Sequence, residues 1–467
     1  MTWVFSISAA TAQENAREPI MPPRQAGAPL ETGAEAITLG GVCLPEWVDP
    51  FGGQPGMNDR VHALIVFDDG SGEALYAGGQ FLTAGGVTTR RIAKWDGATW
   101  SPLDNNSRPN RFVFALTGFD DGSGRALYAG GQFSEVNGVP AIHVAKWDGA
   151  SWSSLADGGL YDGVNGPVFA LAGFDDGLGS ALYVGGRFTG ASGKSAGNIA
   201  KWDGASWSSV GGVGGVPGSE AVNALIVFDD GSGPALYVGG SFASASGVAA
   251  NNIAKWDGQS WSPCGAGLSG TVRALAVFDD GSGPALYAGG QFTTAGGVPA
   301  RHIAKWDGQS WSPLGSGVNG TVRALTAFDN GNGPALYVGG QFGTAGGAPA
   351  GRIAKWDGQS WSSLGSGMLG SGAQGVFALS GFLGGASPAV FAGGDFTTSP
   401  AGNSYLAKWQ GCLLSIPGDL NGDGAVNGSD LSVVLNVFGL TDPSADLNHD
   451  GVVNGGDISL ILNNWTG

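Results

Sequence analysis

Seven copies of one pattern, each about fifty residues long, fill the middle of the chain and constrain its fold more than any other feature. In the clearest copy, residues 272–315 read VRALAVFDDGSGPALYAGGQFTTAGGVPARHIAKWDGQSWSPLG. A unit of this length cannot bury its own faces and must stack on its neighbours. Four segments have strand character: VxALxVF, ALYVGGxF, IAKW and WSPLG. DDGSG and DGxx turns separate them, and a looser stretch such as TTAGGVPAR lies between the second and third. Four antiparallel strands in about fifty residues make one propeller blade. The expected fold is mainly β: a seven-bladed β-propeller closed by an N-terminal strand, then a small all-α calcium-binding domain.

Tryptophan positions support ring closure. Seven occupy the IAKW position: Trp95, Trp147, Trp202, Trp256, Trp306, Trp356 and Trp409. Six occupy the fourth strand: Trp100, Trp152, Trp207, Trp261, Trp311 and Trp361. The seventh unit lacks its second Trp, but Trp47 stands ahead of the first unit in CLPEWVDPFGG. The N-terminal segment is therefore expected to supply the missing strand of the last blade, removing the open edges of the ring. Closure brings Cys43 near Cys412. A disulfide there is expected in an exported protein, two free thiols being the alternative, and would stabilise the ring by about 4–5 kcal/mol in a chain-entropy picture. Cys264 replaces the Leu of WSPLG and reads as a buried small apolar residue. No cysteine has a CxxC partner, which argues against thiolate zinc or redox chemistry.

Spacing separates frame from variation. First Val to first Trp is 34 residues in six units, as from Val61 to Trp95, whereas second Trp to next Val varies from 11 to 16. Length variation thus concentrates in the crossings between blades, which share a face with the loops joining second to third strands. Variation confined to one face marks a candidate binding surface, here residues 102–112, 154–167, 211–221 and 365–375. Neutral drift in surface loops is the competing explanation.

The 467-residue chain carries 88 Gly and a net charge of −17. That acidity argues against nucleic acid or anionic membrane as partner. No run of eighteen apolar residues is available to insert into a membrane. The apolar N-terminal stretch ends in Ala10-Thr11-Ala12 and is expected to be the remnant of a signal peptide whose start lies upstream. Residues 1–42 read as this remnant and a flexible lead-in, 43–414 as the propeller and 415–467 as a separate module.

The DDG turns raise the question of metal. They resemble FG-GAP calcium loops, but Asp279-Asp280-Gly281-Ser282-Gly283 puts Gly where the third and fifth ligands belong. Plain turn chemistry is the favoured reading. The GGxF…IAKWDGxxWxxLG pattern resembles the kelch-like repeats of extracellular bacterial proteins and the repeats of fungal cortical cell-polarity markers. It is distantly similar to the Asp box of sialidases, although Gly follows Asp immediately in WDG.

Composition changes at Pro417. Two twelve-residue loops follow, the first with Asp419, Asn421, Asp423, Ala425, Asn427 and Asp430, the second with Asp446, Asn448, Asp450, Val452, Asn454 and Asp457. Ca²⁺ takes six to eight hard oxygens. An EF-hand-type loop supplies them from positions 1, 3, 5, 7 (a main-chain carbonyl, here Ala425 or Val452), 9 and 12, with Gly at position 6. Both loops match, with Asp in place of the usual Glu at 12, so two Ca²⁺ ions are expected. After each loop, apolar residues at i, i+3, i+4 and i+7 (Leu431, Val434, Leu435, Phe438; Ile458, Ile461, Leu462, Trp465) predict one buried helical face, twice. The pair resembles a type I dockerin. That resemblance implies a cohesin-type partner on a scaffold or cell surface, hence a secreted or surface-attached bacterial protein. Type I dockerins often carry recognition residues at loop positions 10 and 11. Here Gly428-Ser429 and Gly455-Gly456 depart from the usual Ser-Thr pair.

No catalytic motif stands out. The four histidines, His62, His143, His302 and His449, are read as non-equivalent and without metal spacing, and acidic pairs abound because DDG repeats. Two readings follow. In the first, an exported non-catalytic protein binds a glycan or protein ligand through the propeller and is tethered through its tail. In the second, a dockerin-attached carbohydrate-active enzyme hides its catalytic residues among departures from the repeat: Arg187, Tyr161, Asp162, Asp395 and Glu220.

Overall fold

A computed structural model describes residues 45–49, 51, 56–104, 109–215, 218–368, 375–383, 387–411, 420, 426, 428–441, 445–448, 452–463 and 465. Cys43, Cys412, the Ala10–Ala12 region and most of the first calcium-type loop lie outside the described residues.

Seven four-stranded antiparallel sheets form the blades. Blade 5 is representative: Val272–Asp279, Pro284–Gly290, Ile303–Trp306 and Trp311–Pro313, paired in sequence order. Blade 7 takes its outer strand from the other end of the chain. Glu46–Val48 pairs with Leu406–Gln410, and Trp47 sits opposite Trp409. Trp47 occupies the place of a fourth-strand Trp, and its Nε1–H donates to Leu364 O of blade 6 at 2.8 Å. Trp207, Trp261, Trp311 and Trp361 make the same bond to the preceding blade. Cys264 fills one acceptor position and is buried, with its thiol pKa pushed up to about 12 by burial.

Each inter-blade seam is a separate apolar cluster. One such cluster joins blade 7 to blade 1, packing Phe382 and Phe391 with Val61, Leu75 and Trp95. The first glycine of ALYVGG is required by these seams, and the second by the close backbone of its own blade's inner strand, as Gly79 against Arg60 O. A Cβ on Gly78 would lie 2.7 Å from Val113 Cγ1 of the next blade. Gly258 of a WDG turn has φ +99° and would press a Cβ to 2.5 Å from Asp176 O of the preceding blade. The Gly that departs from the Asp-box spacing is thus a packing requirement of this ring.

The looser stretch between second and third strands is more ordered than the sequence suggests. In blade 5 it is a tight hairpin, Thr294–Ala295 with Val298–Pro299, and Leu268 of the preceding crossing bridges to Ala295. Crossings and hairpins interlock on one face of the ring, while the DDG turns lie on the other.

In the C-terminal module, α1 (Gly428–Asn436) and α2 (Gly455–Asn463) pack around Val426, Val434, Ala445, Val453 and Ile461. Leu431 and Ile458 join this cluster partly buried. The expected buried face is only half correct. Leu435, Phe438, Leu462 and Trp465 are exposed, at 54, 52, 55 and 43%. Two nine-residue helices cover about one side chain per turn of each other and no more.

Candidate functional site

The DDG turns use both aspartates. Asp68 accepts the backbone N–H of Gly70 and of Gly72, closing the turn. Asp69 accepts from Lys94 Nζ at 2.7 Å, Tyr76 Oη at 2.7 Å and Ser71 Oγ at 2.6 Å. The Lys–Asp ion pair recurs in blades 1–5, through Asp69, Asp121, Asp176, Asp230 and Asp280. Burial raises these carboxyls, but the hydrogen bonds from Lys, Ser and Tyr outweigh it and hold Asp69, Asp121 and Asp280 at about 2. These acidic pairs are engaged in turns and ion pairs. In blade 6, Asn330 replaces the second aspartate. Its side-chain amide is buried without a hydrogen-bond partner among the described residues, as is the Tyr337 hydroxyl.

Two histidines prove equivalent, against the sequence reading. His143 and His302 both precede the third strand in the left-handed region, with φ 67° and 66°. Arg91, Asn198, Asn252, Arg352 and Tyr405 hold that position in the other blades. The site is one of backbone conformation, which tolerates several side chains.

The variable crossings are partly built into the frame. Within 154–167, Asp157 is held by Ser192 Oγ, Lys194 Nζ and the Trp207 N–H. Asp162 accepts from Ser154 Oγ, and its carbonyl accepts from Ile142 N. Tyr161 Oη lies against Gly190. Val213–Gly214 of the next crossing pairs with Ser244–Ala245, and Glu220 borders that crossing against Gly215. Asp395 accepts the Gly375 N–H and lies 3.8 Å from Arg60. Of the five departures, Arg187 alone reaches an axial cavity of about 280 Å³, whose walls include His62 and Arg323.

The C-terminal module holds buried acid. Asp430 and Asp457 are fully buried and Asp446 is nearly so. Asp457 accepts from the backbone N–H of Leu447, Asn448 and Asn454, and Asp430 from that of Leu420. Burial pushes the Asp457 carboxyl up and these N–H groups outweigh it, leaving it below the usual range. No Lys or Arg follows Lys408 in the sequence. Buried carboxylates in a segment without basic residues suit a hard cation. Asn448, Val452 and Asn454 lie in the same described loop, whereas Asp419, Asn421, Asp423, Ala425, Asn427 and Asp450 lie outside the described residues.

Comparison with known proteins agrees with both parts. Residues 214–375 match the Rax2 C-terminal beta propeller domain, and residues 417–465 match the Dockerin type I domain. The chain thus combines a Rax2-like β-propeller with a C-terminal type I dockerin domain. Type I dockerins generally bind Ca²⁺, and a dockerin implies a cohesin partner. No curated protein is a sequence match. Among solved structures, one similar chain is the extracellular domain of a hybrid two component system, BT4673, from B. thetaiotaomicron. It is 9% identical with a TM-score of 0.45, and the alignment covers 78% of this chain and 40% of that one. The fold assignment rests on the blades' own pairing and not on that likeness. No helix among the described residues is long and apolar enough to cross a membrane.

Proposed function

We propose that the protein is an exported, non-catalytic binding protein. Its propeller takes a glycan or protein ligand on the face of the crossings, and its tail tethers it to a cohesin-type partner. Residues 43–414 form the ring and 415–467 the tether. Two Ca²⁺ ions hold the tether, one through Asp419, Asn421, Asp423, Ala425 O, Asn427 and Asp430, the other through Asp446, Asn448, Asp450, Val452 O, Asn454 and Asp457. A Cys43–Cys412 disulfide fastens the closing strand.

The observation that carries this reading is the exposed apolar surface of the two helices. Both copies leave the same positions uncovered, Leu435 with Phe438 and Leu462 with Trp465. Exposed large apolar side chains on so small a module favour a protein partner over a self-contained stabilising role. Calorimetric titration of the chelator-stripped chain with Ca²⁺ tests the first step. Two equivalents bound, falling to one in Asp457→Ala, support the assignment. No saturable uptake contradicts it.

A further inference from the structure

The repeats also mark one position that the fold does not dictate. In every blade the inner strand carries a β-bulge at the residue after its Val, as between Val61 and Ala63 or Val272 and Ala274. The flanking Val and Ala recur in all seven blades, while the bulged residue changes. A bulge lifts one side chain out of the ladder and re-aims it, and here all seven line the axial cavity of about 280 Å³.

The ring they form has two unlike halves. Phe377, His62, Phe114 and Phe169 make a continuous aromatic arc. His62 stacks on Phe377 with centroids 5.6 Å apart and meets Phe114 edge-on at 5.2 Å, and Phe114 lies 5.7 Å from Phe169. Asn223, Arg273 and Arg323 complete the circle, and the exposed Arg187 stands beside them. Arg323 lies over the Phe377 ring at 5.0 Å and donates through Nε and Nη2 to Gln341. The buried Nε–H of Arg273 has no hydrogen-bond partner among the described residues. Burial disfavours the charge of both guanidiniums; at Arg323 the neighbouring Arg273 adds to this and Asp395 offsets it in part. A larger groove of about 560 Å³ between blades 3 and 4 lacks this character. Asp176, Lys201, Trp256 and Trp261, which line it, recur around the ring as frame residues.

We infer that the ring of bulged residues at the propeller axis is a binding site for a carboxylate-bearing ring compound. Its aromatic arc takes the face of the ring, and Arg273 with Arg323 takes the carboxylate. A cavity of this size admits a single ring. Aromatic side chains pack on the C–H face of a sugar or on a flat ring, and paired guanidiniums favour a carboxylate bidentately. In a chain of net charge −17, a cationic axial half is a local departure that an anion would satisfy. The same chemistry is offered by the uronate end of an acidic glycan and by a free aromatic acid. This inference rests on the propeller being the ligand-binding part.

The test is calorimetry on the full-length Ca²⁺-loaded chain with oligogalacturonate, its methyl ester, benzoate and benzamide. Saturable binding of oligogalacturonate but not its ester, weakened at least about tenfold in the Arg273→Gln/Arg323→Gln variant, supports a uronate ligand. The same pattern for benzoate against benzamide supports an aromatic acid. Phe114→Ala should weaken either, with an unchanged melting temperature verifying the fold of each variant. Binding of neither carboxylate overturns the inference, as does equal binding of the neutral analogues or undiminished binding by the double Arg variant. A glycan or protein ligand indifferent to the Arg substitutions would likewise overturn it, while leaving the propeller's role as a binding module intact.

Discussion

At the scale of single residues, the second aspartate of each DDG turn ties three strands together. Within its own turn it holds only the serine, as Asp69 accepts the N–H and Oγ–H of Ser71, while Asp68 holds the two glycine N–H groups. Its work is the Lys of the third strand and the Tyr of the second. Replacing Asp230 by Ala should cost about 1.5–3 kcal/mol, read as a shift in chemical denaturation, because Lys255 and Tyr237 lose a charged partner. Asn330→Asp should do the opposite. It gives Lys355 a carboxylate and the orphaned Tyr337 hydroxyl an acceptor, and a rise in melting temperature is expected where Asn330→Ala gives none. The pH dependence has a definite sign. Asp69, Asp121 and Asp280 sit at about 2 in the folded chain, below their unfolded value of about 3.9. Their contribution is complete above about pH 4 and is lost as pH falls toward 2. Melting temperature should be flat from pH 5 to 7 and fall steeply below 4, and a flat profile through pH 3 would contradict the ion-pair account.

At the scale of elements, the closing strand is the most exposed dependency of the ring. Trp47→Ala removes a half-buried ring that meets Trp409 at 5.1 Å and bonds Leu364. A loss of about 2–3 kcal/mol is expected, less than for a fully buried Trp. A loss of up to about 4–5 kcal/mol should follow Cys412→Ser under oxidising conditions and vanish under reduction. This strand was legible in the sequence because the Trp census left one gap and one surplus, and the blades were legible because every unit repeats them. Other features were hidden by that same repetition. The Lys–Asp–Tyr tie looks like turn composition until the strands are paired. The equivalence of His143 and His302 appears only once the left-handed residue before each third strand is seen. The axial ring escaped because a bulged residue has no consensus, and Arg187 was singled out only for departing from one. In the dockerin helices, periodicity predicted Leu435, Phe438, Leu462 and Trp465 inside. A stripe of apolar residues does not say whether its cover comes from the same chain.

At the scale of the whole molecule, ring and tail differ in what holds them together. The propeller is stabilised by seven apolar seams and a closed strand order, whereas the tail has one small cluster around Val434 and Ile461 and a set of buried carboxylates. Small modules of this kind take much of their stability from bound metal. The central claim is that this acidic tail is a calcium-dependent tether for a ligand-binding propeller. Surface plasmon resonance of the full-length chain over an immobilised type I cohesin, in Ca²⁺ and then in chelator, tests it most directly. Saturable binding in Ca²⁺ that is lost in chelator, and weakened by Leu435→Ala combined with Leu462→Ala, is the predicted result. A folded, Ca²⁺-loaded chain that binds no cohesin, or binds equally well in chelator, would contradict it.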